Sequence, residues 1–140
     1  MAASPLAPKK KFDAAQNAAI INSPKGYTNM FKPFPKGLRF SEDLNDQFDW
    51  IQIFVKNKAE FDALLPKVLK AMVAESRLWV SFPKGSSKMQ SDLTRDKGWE
   101  GLRGVDLKWI NLISVDHTWS AFALRTYKPG EERQAIPWSS

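Results

Sequence analysis

The stretch FDWIQIFVKNKAEFDALLPKVLKAMVAESRLWVSF, residues 48–82, changes its hydrophobic period twice. FDWIQIFV (48–55) is β-branched and aromatic and closes on the polar pair Lys56-Asn57, the pattern of a strand. Phe61, Leu64, Leu65, Val68, Leu69 and Met72 then recur at three- and four-residue spacing, which predicts an amphipathic helix over 58–73 with one core-facing stripe. Asn57 followed by Glu60 reads as a capping pair at its start. Pro66 lies inside the pattern and lacks a backbone donor, so a kink or a split into two pieces is expected there. RLWVSF (77–82) then reads as a second buried strand.

The flanking sequence extends this strand-helix-strand unit in both directions. NAAIINS (17–23) is a short Ile/Ala run bounded by Ser-Pro-Lys-Gly, as for a strand buried on both faces, and GLRFSED holds a brief strand candidate. SDLTRDKGWEGL (91–102) can begin a helix capped by Ser91, kept short by Gly98 and Gly101. VDLKWINLISV and TWSAFALRTY are two long strand-like runs separated by Asp116-His117, a hairpin spacing. This order predicts an α/β fold: a three-layer, mostly parallel sheet of five to six strands with a C-terminal antiparallel hairpin. Residues 1–11 and 129–140 read as flexible tails around a single domain, 12–128.

Composition excludes much chemistry. The 140 residues include six tryptophans and are 43% hydrophobic, enough for one core, and contain no cysteine. Disulfides, thiolate metal sites and cysteine nucleophiles are therefore absent, and a reducing cytoplasm is the expected compartment. No segment reaches the roughly 20 apolar residues of a membrane span. Net charge is +6, but Lys9, Lys10 and Lys11 supply half of it from the first tail, so nucleic acid is not the expected partner. His117 is the sole histidine, which rules out a multi-histidine metal site and leaves it as a turn or surface residue beside Asp116. Glu42, Asp46 and Asp49 read as a solvated loop entering a strand. Trp50, Trp79, Trp109, Trp119 and Phe122 read as core rather than base-stacking platforms.

FDWIQIFV, the amphipathic helix and RLWVSFPK resemble, in pattern, the second half of a Rossmann-like, class I methyltransferase-type domain, whose final hairpin inserts an antiparallel strand. NSPKGY, LPKVL, LWVSFPK, SDLTRD and SVDHTWSAFALR, in that order, resemble a family of small bacterial proteins known only as a domain of unknown function. That resemblance implies a small Rossmann-like fold and assigns no reaction. The fold is expected in a degenerate form. The turn after the first strand, INSPKGY, has one glycine, and Pro24 removes an amide that could face a ligand. Only about six residues join GLRF to FDWIQ, too few for a helical crossover. No dinucleotide or S-adenosylmethionine cofactor is therefore expected, nor any metal or catalytic residue.

Ligands of open parallel sheets sit outside the carboxyl ends of the strands, where strand order reverses. In the methyltransferase-like order this lies between NAAIINS and FDWIQIFV. The edge gathers Asn22, Ser23, Lys25, Lys56 and Asn57, with Ser81 and Lys84 ending the next strand. A hairpin inserted beside LWVSF would add Asp116, His117 and Trp119. Pro-Lys-Gly occurs at 24–26, 35–37 and 83–85, each time at a strand boundary, so it reads as punctuation and LWVSFPKGSSK as a strand end rather than a phosphate loop. The sequence favours a non-catalytic module, monomer or homodimer, that engages a protein partner or a small anionic ligand at this edge. Its alternatives are a diverged methyltransferase-like enzyme and weak nucleic-acid binding through the basic tail.

Overall fold

Four parallel strands and an antiparallel pair form one six-stranded sheet in the order β2-β1-β3-β4-β6-β5. The computed structural model describes residues 17–27, 36–84, 107–115, 118–127 and 130–131. Within them lie β1 (Asn17–Ile21), β2 (Arg39–Ser41), β3 (Phe48–Phe54), α1 (Lys58–Ala71), β4 (Met72–Pro83), β5 (Leu107–Ser114) and β6 (Trp119–Thr126). β1 pairs in parallel with β2 and β3, and β3 with β4. β6 enters antiparallel between β4 and β5, as the hairpin pattern predicts. Strand order reverses between β1 and β3, because the chain leaves β1 toward β2 on one side and later builds outward from β3 on the other. The helix expected at 91–102 and both tails through residue 11 and from 132 lie outside the described residues.

Alternation along each strand produces two cores. Ala19, Ile21, Ile51, Ile53, Val55, Leu78, Val80, Phe82, Phe122 and Leu124 face α1. That helix answers with Phe61, Leu65, Val68 and Ala71, all buried. Each large apolar side chain so buried contributes about 1.5–3 kcal/mol. Ala18, Ile20, Trp50, Phe54, Trp79, Trp119, Ala121 and Ala123 occupy the opposite face together with Tyr27. A one-residue slip of any central strand would exchange these sets, so burial on both faces holds the register.

Local chemistry sets where α1 starts and stops. Asn57 Oδ1 accepts from the Glu60 N–H at 2.8 Å, and Glu60 Oε1 accepts from the Lys56 N–H at 2.7 Å, a reciprocal cap displaced by one residue from the usual box. The helix continues through Pro66 as one piece, so of the kink or split expected there the split does not occur. Pro66 is on the exposed side, where the carbonyl that loses its partner can turn to water. The stripe is also narrower than the spacing suggests: Leu69 is 37% exposed, and Met72 already belongs to β4.

Helix passes into strand with no intervening loop, and pairing begins irregularly: Phe48 faces Met72 while Trp50 faces Arg77. Ser76 bridges this irregularity. Its Oγ accepts from the Val73 N–H at 2.6 Å and donates to the Phe48 carbonyl at 2.9 Å. At the other edge the β2–β3 connection is residues 42–47, short as expected, because β2 is only three residues long. Asn17 anchors it, donating its backbone N–H to Asp49 Oδ1 at 3.0 Å and its side-chain amide to the Gln47 carbonyl. The Ser41 hydroxyl donates to the Asp43 carbonyl, and the Asp43 N–H donates back to Ser41 Oγ, closing the loop on itself. No described helix is long and apolar enough to cross a membrane.

Two substitutions test this account. Asn57→Ala removes the cap and is expected to lower unfolding free energy by about 1 kcal/mol in urea titration. Ser76→Ala strands a buried carbonyl and a backbone N–H, and is expected to cost about 1–3 kcal/mol in the same measurement.

Candidate functional site

Three parallel strands deliver their carboxyl ends to one edge of the sheet, and the chain leaves each of them differently. After β1, Asn22 adopts φ of 60° and Gly26 φ of 83°, two left-handed residues within one short segment. Between them the Tyr27 N–H donates to the Pro24 carbonyl at 3.0 Å, closing a tight turn over Lys25-Gly26. Glycine is required at 26 by that backbone, and asparagine is the side chain that best tolerates it at 22.

The turn returns Tyr27 onto the second face of the sheet, where a buried relay holds it. The Tyr27 hydroxyl donates to Gln52 Oε1 at 2.8 Å, and Gln52 Nε2 donates to Ser81 Oγ at 3.0 Å. Gln52 and Ser81 are fully buried, so this pairing across β3 and β4 offsets the desolvation that a lone amide would suffer. Tyr27 meets Phe54 edge to face at 4.8 Å, and Phe54 meets Trp119 edge to face at 5.1 Å. An aromatic floor therefore runs from the β1 turn to the start of β6.

After β3, the Val55 N–H donates to the Ser81 carbonyl at 2.9 Å, Lys56 turns outward, and the cap of α1 draws Glu60 back toward Lys56. After β4, the Lys84 N–H donates to the Thr118 carbonyl at 2.7 Å, tying that strand end to the hairpin. The result is a cleft of about 350 Å³ lined by Asn22, Ser23, Phe54, Lys56, Glu60 and Trp119. It lies where strand order reverses. Its lining combines an aromatic base, two neutral polar side chains, one ammonium and one carboxylate.

The expected site residues divide into groups. Asn22, Ser23 and Trp119 meet in this cleft. Lys25 is exposed in the adjacent turn, and Asn57 stands beside the cleft with its side-chain oxygen committed to the helix cap. Ser81 lies buried in the relay, and Lys84 stands at the neighbouring strand exit. Asp116 and His117 lie outside the described residues. Sequence reading left Phe54 in the core and Glu60 in the cap, and it placed Lys56 on the edge without a role. The signal for Phe54 was available, since alternation from Trp50 through Gln52 carries it to the face opposite α1. Tyr27 and Gln52 had no sequence signal, because their partnership spans a turn and two strands. Among the described residues there is no group of three side chains able to hold a metal ion.

No family model matches the chain, so the resemblance to the uncharacterised bacterial family rests on its motifs. No curated protein sequence matches either. Solved structures do. The N-methyltransferase NodS from Bradyrhizobium japonicum WM9 aligns with a TM-score of 0.58 at 11% identity, over 88% of this chain and 92% of that one. NodS has also been solved with S-adenosyl-L-homocysteine bound. TrmN from Thermus thermophilus aligns at 0.57 and 9% identity, over 87% of this chain and 48% of that one. The B. subtilis tRNA methyltransferase TrmK aligns at 0.54 and 10% identity, over 91% and 67% respectively. At such identities the likeness is one of fold, and the sheet is accordingly of methyltransferase type.

Proposed function

We propose that this protein is a diverged methyltransferase-like protein that holds a ligand of the S-adenosylmethionine type in the β1/β3 cleft. The observation that carries the reading is position: in a methyltransferase-type sheet the cleft opens at the strand-order reversal, where open α/β folds place their ligands. The lining suits such a ligand. Phe54 and Trp119 offer an aromatic base for a purine, and Asn22 and Ser23 offer hydrogen bonds to ribose hydroxyls. Lys56 and Glu60 offer opposite charges to the two ends of an amino-acid moiety.

Bound there, the group would supply an activated methyl. Transfer of that methyl to a second substrate depends on alignment and exclusion of water, so the lack of a nucleophile-base pair in the sequence is no obstacle to it. The chain's own residues would bind and orient: the relay from Tyr27 to Ser81 fixes the turn, and the cap holds Glu60 beside Lys56.

One further observation favours a second reading, a non-catalytic module for a small anion at the same edge. The turn from Asn22 to Tyr27 has one glycine and one proline, while Lys25, Lys56 and Lys84 stand at three successive strand exits. Thermal-shift titration separates the two. S-adenosyl-L-homocysteine is expected to stabilise the protein saturably, by about 2.7 kcal/mol at a hundred times its dissociation constant. Lys56→Glu is expected to remove that shift without lowering the ligand-free melting temperature. A shift with sugar phosphates alone, lost in the same variant, would overturn the methyltransferase-like reading in favour of the anion module.

A further inference from the structure

At the opposite end of the strands a second polar cluster lies across β4, β6 and β5. Arg77 pairs in register with Arg125, and Arg125 with Lys108. Directly opposed residues of neighbouring strands project to one face. The alternation Arg77, Trp79, Ser81 on β4 and Ala121, Ala123, Arg125 on β6 places this row on the face away from α1. Trp50 of β3 is the next register partner of Arg77 and ends the row with a buried indole. From Arg77 to the cleft end of β4 at Pro83 the strand rises roughly 20 Å, so the row and the cleft are separate places.

Like charges set directly opposite one another destabilise a sheet. Here three cations stand in line, and among the described residues one carboxylate, Glu131, pairs with two of them. Glu131, just past β6, accepts a forked pair from Arg125 at 3.0 and 2.8 Å and a third bond from Lys108 Nζ at 2.6 Å. These groups are partly dry, with side chains 16% exposed for Arg125, 29% for Lys108 and 19% for Glu131. Glu131 thus answers Arg125 and Lys108 together. Among the described residues no carboxylate pairs with Arg77, which is itself only half-exposed. Burial first, and the Arg125 charge second, lower its pKa.

We propose that this row is an anion site in which a phosphate group docks on the Arg77 guanidinium beside the Arg125–Glu131 pair. The planar guanidinium fork matches phosphate oxygens two at a time, and an anion there would offset the repulsion between Arg77 and the Arg125 opposite it. Glu131 already shows the geometry that an oxyanion adopts on the neighbouring arginine. The phosphate is either free or carried by a phosphorylated small molecule. This inference does not depend on the cleft or its ligand.

The test is thermal unfolding of the full chain with inorganic phosphate or ribose 5-phosphate, against chloride at matched ionic strength. Wild type is expected to gain melting temperature saturably, and Arg77→Met to lose that gain. In phosphate-free buffer Arg77→Met is expected to melt at or above the wild-type temperature, because it removes a half-buried cation that pairs with no described carboxylate. Lys56→Glu, in the cleft, is expected to keep the phosphate response. A tighter response to ribose 5-phosphate assigns the site to a phosphorylated molecule, and a tighter response to inorganic phosphate assigns it to the free ion. Equal phosphate shifts in wild type and Arg77→Met would reduce the effect to general salt stabilisation and overturn the proposal. No saturable shift in wild type, or a lower phosphate-free melting temperature for Arg77→Met, would overturn it too, the latter by showing that the chain itself neutralises Arg77.

Discussion

β1 is paired on both sides, to β2 through Asn17–Ala19 and to β3 through Ala18–Ile21, and four of its five residues are buried. A strand in this position has no polar face to give up, so its composition is confined to small and branched apolar side chains. Ala18 and Ala19, both wholly buried, keep it slim between two layers that carry tryptophan and phenylalanine from its neighbours. The chain leaves β1 toward β2 and leaves β3 toward β4, on opposite sides. That divergence separates the chain at the carboxyl edge and opens the cleft. The cleft is thus a consequence of how β1 is paired.

What lines the opening is shared with what holds the fold. Asn57, Glu60 and Lys56 begin the helix through hydrogen bonds of 2.8 and 2.7 Å between side chain and backbone, and Lys56 and Glu60 also line the cleft. Tyr27, Gln52 and Ser81 join the β1 turn to two central strands through the apolar core on that face. A buried relay of this kind restricts the turn, since another geometry would take the Tyr27 hydroxyl from the Gln52 amide oxygen. The rim is therefore arranged before any ligand arrives, which lowers the ordering cost of binding.

Much of this was readable from residue order. The period change at Asn57, the aromatic alternation of FDWIQIFV and the close spacing of the last two runs are local signals, and local signals suffice for strand, helix and hairpin. Strand order is not among them: it follows from the resemblance to a methyltransferase-type sheet, and residue order leaves the pairing of the short strand at Arg39–Ser41 open. The misreadings come from quantities that a one-dimensional pattern does not carry. Leu69 satisfies the helical spacing but falls at the margin of a stripe whose width the sheet beneath decides. Pro66 looks disruptive until its exposed position shows that only solvent faces the lost bond. Gln52, inside an apolar strand, gives no hint that a tyrosine from a distant turn will meet it.

The connection through residues 42–47 bears on how such a protein can change over evolutionary time. It passes directly from β2 to β3 over the amino end of β1, held by Asn17 and by the closed turn around Ser41 and Asp43. Every residue in it is polar except Leu44, and β2 beyond it is an outermost strand three residues long. Additional chain spliced in here could grow a further strand and its covering helix beside β2 while leaving β1, β3 and the cleft untouched. The junction from Ala71 to Met72, which has no loop at all, offers no such opportunity. The β2 margin is therefore where this architecture is free to lengthen, and the α1–β4 junction is where it is closed to insertion.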